Sequence, residues 1–98
     1  MTTREKALAL NALSRLSLEL DCNNQWFVNH QRVDIKEIDH PGVICSVTGR
    51  GDTPEDAIED HWHKMTASGQ NLYIVVNALH NSRRHVRWNG FMWEDLPK

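Results

Sequence analysis

The sequence predicts an α+β domain in which two helices pack against a single antiparallel sheet of about five strands. Three observations predict this fold: apolar residues recur at helical spacing in two segments, the other apolar segments alternate as strands do, and turn motifs separate them. The predicted order of elements is α-β-β-β-α-β-β-β. Hairpins on either side of a central helix favour one antiparallel sheet with both helices against it.

The first helix is predicted to begin at Thr2, which can form a capping box with Glu5. Leucines then recur at three- and four-residue steps, at positions 10, 13, 16 and 20. This spacing gives one apolar face, so the helix is expected to continue to the polar break at residues 21–24. Residues 25–28 and 33–36 are the next two predicted strands, separated by a polar turn.

A strand, a glycine turn and a helix form the centre of the predicted fold. Residues 43–48 alternate as a strand with two differently used faces, and Gly49-Arg50-Gly51 is predicted as the turn that follows. Thr53 can cap the next helix with its hydroxyl, and Pro54 suits the first helical position, where an N–H would be unpaired anyway. The helix is expected to end near residues 68–69, because glycine can take the left-handed conformation there.

The C-terminal part of the chain is predicted to form strands. Residues 72–79 are the most apolar strand and are expected to lie inside the sheet. Asn89-Gly90 is the strongest short signal for a two-residue hairpin loop. Such a loop pairs Trp88 with Phe91, Arg87 with Met92 and Val86 with Trp93, which would put Val86, Trp88, Phe91 and Trp93 on one face.

Length and composition predict a single domain over residues 1–98 and a cytoplasmic protein with reduced thiols. The chain has 11 basic and 13 acidic residues, and this balance argues against binding of duplex DNA by charge alone. The two cysteines, Cys22 and Cys45, form no metal-binding or redox pair. No apolar run is long enough to span a bilayer, so no membrane association is expected.

The sequence carries no recognisable catalytic or metal-binding signature, so no enzyme, cofactor or metal is expected. The turn at residues 49–51 could cradle an anion at a helix start, but the acidic residues that follow would repel a phosphate. Asp60, His61 and His63 could ligate a metal, but no third group is identifiable, and the two histidines point to different sides of a helix. Packing or solvated histidines are the simpler interpretation.

The predicted binding residues gather around the last hairpin. Arginine forks hold phosphates and aromatic faces stack on bases, so their mixture there suits a nucleotide or a single-stranded nucleic acid. Asn77 could read a base edge from the same sheet. The alternative is that the tryptophans belong to the core and the arginines pair with acidic residues of the second helix. The candidate ligand-binding residues are Asn77, Arg83, Arg84, Arg87, Trp88 and Trp93.

Two resemblances accompany these residues. The segment GRGDTPEDA at residues 49–57 resembles the strand-to-helix corner of HicB-like antitoxins and of double-stranded-RNA-binding folds. A larger part of the chain resembles small, largely uncharacterised accessory proteins of tailed bacteriophages. It comprises Trp26, G-x-TPE-x-AI at residues 51–58, Trp62, YIVVN at residues 73–77 and RWNGFMWE at residues 87–94.

The phage resemblance implies a protein that counters host defence by binding a host factor. The favoured hypothesis is a sponge that sequesters a nucleotide signal, such as a cyclic nucleotide or a cyclic ADP-ribose, as in Thoeris or CBASS immunity. One alternative is a protein-binding inhibitor of a host effector such as a CRISPR complex. Another is a nucleic-acid-binding module of the HicB or double-stranded-RNA-binding type. Because one small domain has little concave surface, a homo-oligomer is also expected.

Overall fold

The computed structural model describes residues 1–31, 33–37, 47–67, 72–77 and 82–96, apart from the side chains at 34, 36, 37, 72–77, 82 and 83. Within these residues the fold is α+β, with two helices and small antiparallel sheets, as the sequence predicts. The elements in order are α1 (Thr3–Asn11), β1 (Leu16–Leu20), β2 (Trp26–His30), β3 (Asp34–Glu37), β4 (Gly49–Gly51), α2 (Pro54–Met65), β5 (Leu72–Asn77), β6 (Ser82–Trp88) and β7 (Trp93–Asp95).

The described strands form two sheets, where the sequence predicted one. The first sheet has the order β1-β2-β4 and the second β3-β5-β6-β7, and β5 takes the inner position expected for it. The strands divide into two sheets because α2 packs side chains from two of its faces, one towards each sheet. Ala57 and His61 face the first sheet, while Ile58 and Met65 join the core cluster with residues of α1 and the second sheet: Leu10, Ile35 and Val86.

The first helix ends at Asn11, so the predicted continuation to residue 20 is wrong. The Asn11 side-chain oxygen accepts the backbone N–H of Leu16 at 3.1 Å, and the Ser14 hydroxyl donates to the carbonyl of Gln31 at 3.0 Å. Residues 16–20 form β1, paired with β2. Leucines at positions 16, 18 and 20 satisfy the two-residue period of a strand as well as a helical one, and pairing with β2 decides between them.

The glycines of residues 49–51 belong to strand β4, not to the predicted turn. They allow α2 to lie directly on the strand, since a Cβ atom on Gly49 would lie 2.2 Å from the carbonyl oxygen of Ala57. A Cβ atom on Gly51 would lie 2.5 Å from the Cβ of Asp56. Glycine within a strand often marks such a close approach of another backbone.

Helix α2 begins as predicted and ends earlier. The Thr53 hydroxyl accepts the backbone N–H of Asp56 at 3.1 Å, and Pro54 occupies the first helical position. The helix ends at Met65, whereas an end near residues 68–69 was expected; those two residues lie outside the described part of the chain, as do 43–46 of the predicted preceding strand. Neither α1 nor α2, the helices that the described residues form, has the length and apolar character needed to cross a membrane.

The last hairpin has a four-residue loop, so the predicted two-residue loop is wrong. Trp88 pairs with Trp93, and the loop comprises residues 89–92. Asn89 sets this loop, because its side-chain oxygen accepts the backbone N–H groups of Phe91 and Met92, both at 2.9 Å. Trp88 and Trp93 share a face as expected, but Phe91 leaves the strand.

Candidate functional site

A groove of about 330 Å³ lies between α1 and the β6–β7 hairpin. Helix α1 and the two residues after it contribute small and apolar side chains, and the hairpin contributes aromatic residues, a methionine and an arginine. The lining residues are Ala9, Ala12, Leu13, Arg84, Trp88, Phe91, Met92 and Trp93. Three of the six candidate binding residues from the sequence, Arg84, Trp88 and Trp93, therefore meet in one groove.

Three tryptophans hold the hairpin against the helices. Trp62 of α2 packs edge-on to Trp88, with 4.8 Å between ring centroids, and Trp88 packs edge-on to Trp93 at 5.1 Å. The indole N–H of Trp93 donates to the carbonyl oxygen of Ala9 at 2.9 Å. These contacts fix the groove walls, and of the two half-buried hairpin tryptophans Trp93 packs against the core cluster.

The arginines are paired with carboxylates of the neighbouring strand. Arg84 donates from Nε to Asp95 at 2.7 Å, and Arg87 donates from Nε to Glu94 at 2.9 Å. The hydrogen bonds from Arg87 lower the pKa of the Glu94 carboxyl group. Since residues 84 and 87 are three apart on a strand, their side chains leave opposite faces of β6, and only Arg84 lines the groove.

The two other candidate binding residues have only a backbone position. Arg83 lies opposite Val75 in the register of β5 and β6, and Asn77 lies opposite Ser82, beyond an irregularity in the pairing. Their side chains are outside the described structure. Their predicted roles in phosphate binding and base recognition stay predictions.

The loop at the tip of the hairpin adds two residues that the sequence analysis did not select. Phe91 is 91% exposed and Met92 is 61% exposed, and both line the mouth of the groove. The signal that could have identified them is Asn89, whose side chain commonly bonds to backbone N–H groups two or three residues ahead. A four-residue loop built this way would have removed Phe91 from the sheet face.

A second cluster of polar groups is buried between α2 and the first sheet. His30 and His61 are 6% and 0% exposed, and their Nε2 atoms lie 3.1 Å apart. His30 Nδ1 lies 2.9 Å from the carbonyl oxygen of Ser14 and must donate to it. His30 Nε2 then accepts the proton of His61 Nε2, which leaves His61 Nδ1 buried, with no hydrogen-bond partner that the structure describes.

The histidine pair is neutral at physiological pH. Burial, helped by the nearby His30 and Lys64, lowers the pKa of His61 to about 3, although Asp60 opposes the shift. Burial also lowers the pKa of His30. The pair joins β2 to α2 within the buried part of the fold.

The other polar groups near α2 are used locally. Asp60 accepts the backbone N–H of Arg50 at 2.9 Å and pairs with Lys64 at 2.9 Å, while His63 is exposed. The Arg50 side chain pairs with Asp21 at 3.1 Å. Asp60, His61 and His63 therefore do not converge on one point, and no group of three metal-binding side chains comes together within the described residues.

Comparison of the chain with protein-family models, with curated proteins and with solved structures finds no match in any of the three.

Proposed function

We propose that this protein is a non-catalytic binding protein that sequesters a protein partner through the groove and the hairpin tip. The observation that supports this proposal is the position of Phe91 and Met92, two large exposed side chains at the mouth of a preformed groove. Exposed aromatic and methionine side chains next to a preformed pocket are the usual composition of a binding hot spot.

The shape of this surface suits an apolar side chain of the partner. Ala9 and Ala12 leave space on the helix side, and Trp88 and Trp93 offer aromatic surface on the hairpin side. The tryptophan contacts and the Trp93 hydrogen bond hold that wall in place before binding. Preorganisation of this kind reduces the conformational entropy lost on association.

The arginine pairs weigh against the nucleotide hypothesis favoured by the sequence. A phosphate at Arg84 would have to displace Asp95, and Arg87 leaves the other face of the strand towards Glu94. Among the arginines whose side chains the structure describes, only Arg84 lines the groove, and Asp95 already engages it. A protein partner needs no such displacement, so the groove supports the protein-binding alternative better.

The proposed setting is the cytoplasm of a bacterium, with a host defence effector such as a CRISPR complex as the partner. It rests on the resemblance to small accessory proteins of tailed phages. The test measures plaque formation by a CRISPR-targeted phage on cells that express the protein, together with binding to the purified effector complex. We expect the wild type to restore plaques and the double variant Phe91→Ser, Met92→Ser to fail.

The matched control is Leu8→Ser, because Leu8 is also 61% exposed and does not line the groove. This variant should behave as the wild type does. If the hairpin-tip variant restores plaques and binds the effector as well as the control, the groove is not the binding surface.

A nucleotide ligand is a second candidate, favoured by one observation. Arg84, Trp88 and Trp93 line a groove whose volume of about 330 Å³ is within the range of small-molecule pockets. A thermal-shift screen against cyclic nucleotides and cyclic ADP-ribose tests it. A stabilising ligand should lose its effect in Arg84→Ala and keep it in Arg87→Ala, since only Arg84 faces the groove.

A further inference from the structure

Strand β1 is at the edge of the first sheet that the structure describes, and on its outer side the Leu16 N–H already donates to Asn11 Oδ1. The strand pairs with β2 on one side, and no strand that the structure describes lies on the other side. Asp21 donates to Gln25 at 2.9 Å and Gln31 donates to Arg15 at 2.8 Å. Along an antiparallel strand, successive residues direct their N–H and C=O groups alternately towards one neighbouring strand and away from it. The odd-numbered residues of β1 therefore bond to β2, and the even-numbered residues direct these groups outward.

The side chains next to this outward row are apolar. Leu18 and Leu20 are 41% and 52% exposed, although they stand opposite Val28 and Trp26 on the face that α2 covers further along the sheet. Val28 is fully buried, whereas both leucines keep a large part of their surface open to solvent. An exposed edge strand with apolar side chains is a template for pairing with another strand.

We propose that two copies of this chain pair through β1, antiparallel, about a two-fold axis at Leu18. Leu18 of each copy then faces Leu18 of the other, Leu16 faces Leu20, and Ser17 faces Glu19. The two first sheets join into one six-stranded sheet, and the exposed leucines cover each other. This pairing does not depend on the function proposed for the groove.

The charges of the strand disfavour two of the neighbouring registers. An axis at Glu19 would oppose two carboxylates, and an axis at Leu20 would oppose Glu19 and Asp21. An axis at Leu18 opposes Glu19 with the hydroxyl of Ser17 and pairs all five residues of β1 with one another. The outward N–H and C=O groups of Leu18 exchange two hydrogen bonds across the axis, and each Leu20 N–H meets a Leu16 carbonyl.

The first test is the mass in solution, measured by analytical ultracentrifugation over a range of concentrations. The wild type should show a concentration-dependent dimer. Leu18→Lys should raise the dimer dissociation constant at least about tenfold, because it places two ammonium groups opposite each other.

Leu8→Lys, which adds the same charge to an exposed leucine of α1, should leave the dimer unchanged. A wild type that stays monomeric up to about 1 mM, or a Leu18→Lys dimer as tight as the control, would overturn the proposal.

The second test reads the register and does not depend on the folding of Leu18→Lys. Ser17→Cys and Glu19→Cys are made separately in a chain whose Cys22 and Cys45 are replaced by serine. In the proposed register residue 17 of one copy and residue 19 of the other form a non-hydrogen-bonded pair, with Cα atoms about 4.5 Å apart, close enough for a disulfide. Oxidation should cross-link the mixture of the two variants far more than either alone. Equal cross-linking in all three samples, or none, would overturn the register.

Discussion

The Nε2 atoms of His30 and His61 lie 3.1 Å apart, and both side chains are buried. The bond joins the first sheet to α2, and it requires at least one imidazole to be neutral, because two imidazolium ions would each present a proton to the other. This bond is therefore incompatible with protonation of both histidines.

Stability should fall with acidification from about pH 6.5 towards pH 3. The folded state lowers the pKa of His61 from its ordinary value of 6.5 to about 3, so the unfolded chain binds more protons between these values. The contribution is present above pH 6.5 and is lost progressively as the pH falls. We expect the free energy of unfolding to be about 2 kcal/mol lower at pH 5 than at pH 7, measured by urea denaturation.

The control for this prediction is the pH slope in His61→Leu. That variant removes the buried titrating group, so its stability should depend less on pH, whatever its absolute value. His63→Gln, which changes an exposed histidine on the same helix, should keep the slope of the wild type. A flat profile in the wild type between pH 7 and pH 5 would contradict the assignment.

Replacing Gly49 with alanine should destabilise the protein by about 3 kcal/mol, at the upper end for overpacked sites. The new Cβ would lie 2.2 Å from the carbonyl oxygen of Ala57 and 2.6 Å from the backbone nitrogen of His61, so the helix as a whole would have to move. Gly90→Ala is the comparison. Its Cβ meets no atom within 4 Å, and only the positive φ of 101° opposes it, at a cost of about 1 kcal/mol. If thermal or urea unfolding showed the same loss of stability in Gly49→Ala and Gly90→Ala, α2 would not pack directly against Gly49.

The sequence predicted the structure correctly where interactions between near neighbours in the chain decide it. The Thr2 capping box and the Thr53 cap each need only side chains within three residues, and both are present. It was insufficient where distant partners decide. The periodicity at Leu16 fits a helix and a strand, and only β2 selects the strand; Gly49 has the signature of a turn, and only the position of α2 reveals its role.

The candidate site was predictable to a similar extent. The arginine and tryptophan content of the hairpin predicts a binding site, and Arg84, Trp88 and Trp93 do line one groove. The other wall comes from α1, some 70 residues earlier in the chain, and no periodicity of the hairpin points to it. The exposure of Phe91 depends on two hydrogen bonds to the Asn89 side chain, which lengthen the loop.

Thr53→Ala should lower the free energy of unfolding by about 1 kcal/mol, the usual cost of losing an N-cap. The Thr53 hydroxyl accepts the N–H of Asp56 at 3.1 Å, and alanine would leave that donor to water. Thr53→Ser keeps the oxygen and should retain most of the stability. Urea denaturation of both variants checks this, and a loss of the same size in both would assign the effect to the threonine methyl group instead.

Trp93→Phe should loosen the attachment of the last hairpin to α1. Phenylalanine keeps an aromatic ring beside Trp88 but cannot donate to the carbonyl oxygen of Ala9, which the indole N–H now meets at 2.9 Å. The loss of one hydrogen bond to a part-buried carbonyl is worth about 1 kcal/mol beyond the change in ring size.

Trp88→Phe is the matched control, because it makes the same change in ring size at the neighbouring indole, for which no such bond is described. Hydrogen exchange at the backbone N–H of Leu96, which donates to His85 at 2.9 Å across the hairpin, should accelerate more in Trp93→Phe than in the control. Equal exchange in the two variants would mean that packing among the tryptophans, and not the bond to Ala9, holds the wall of the groove.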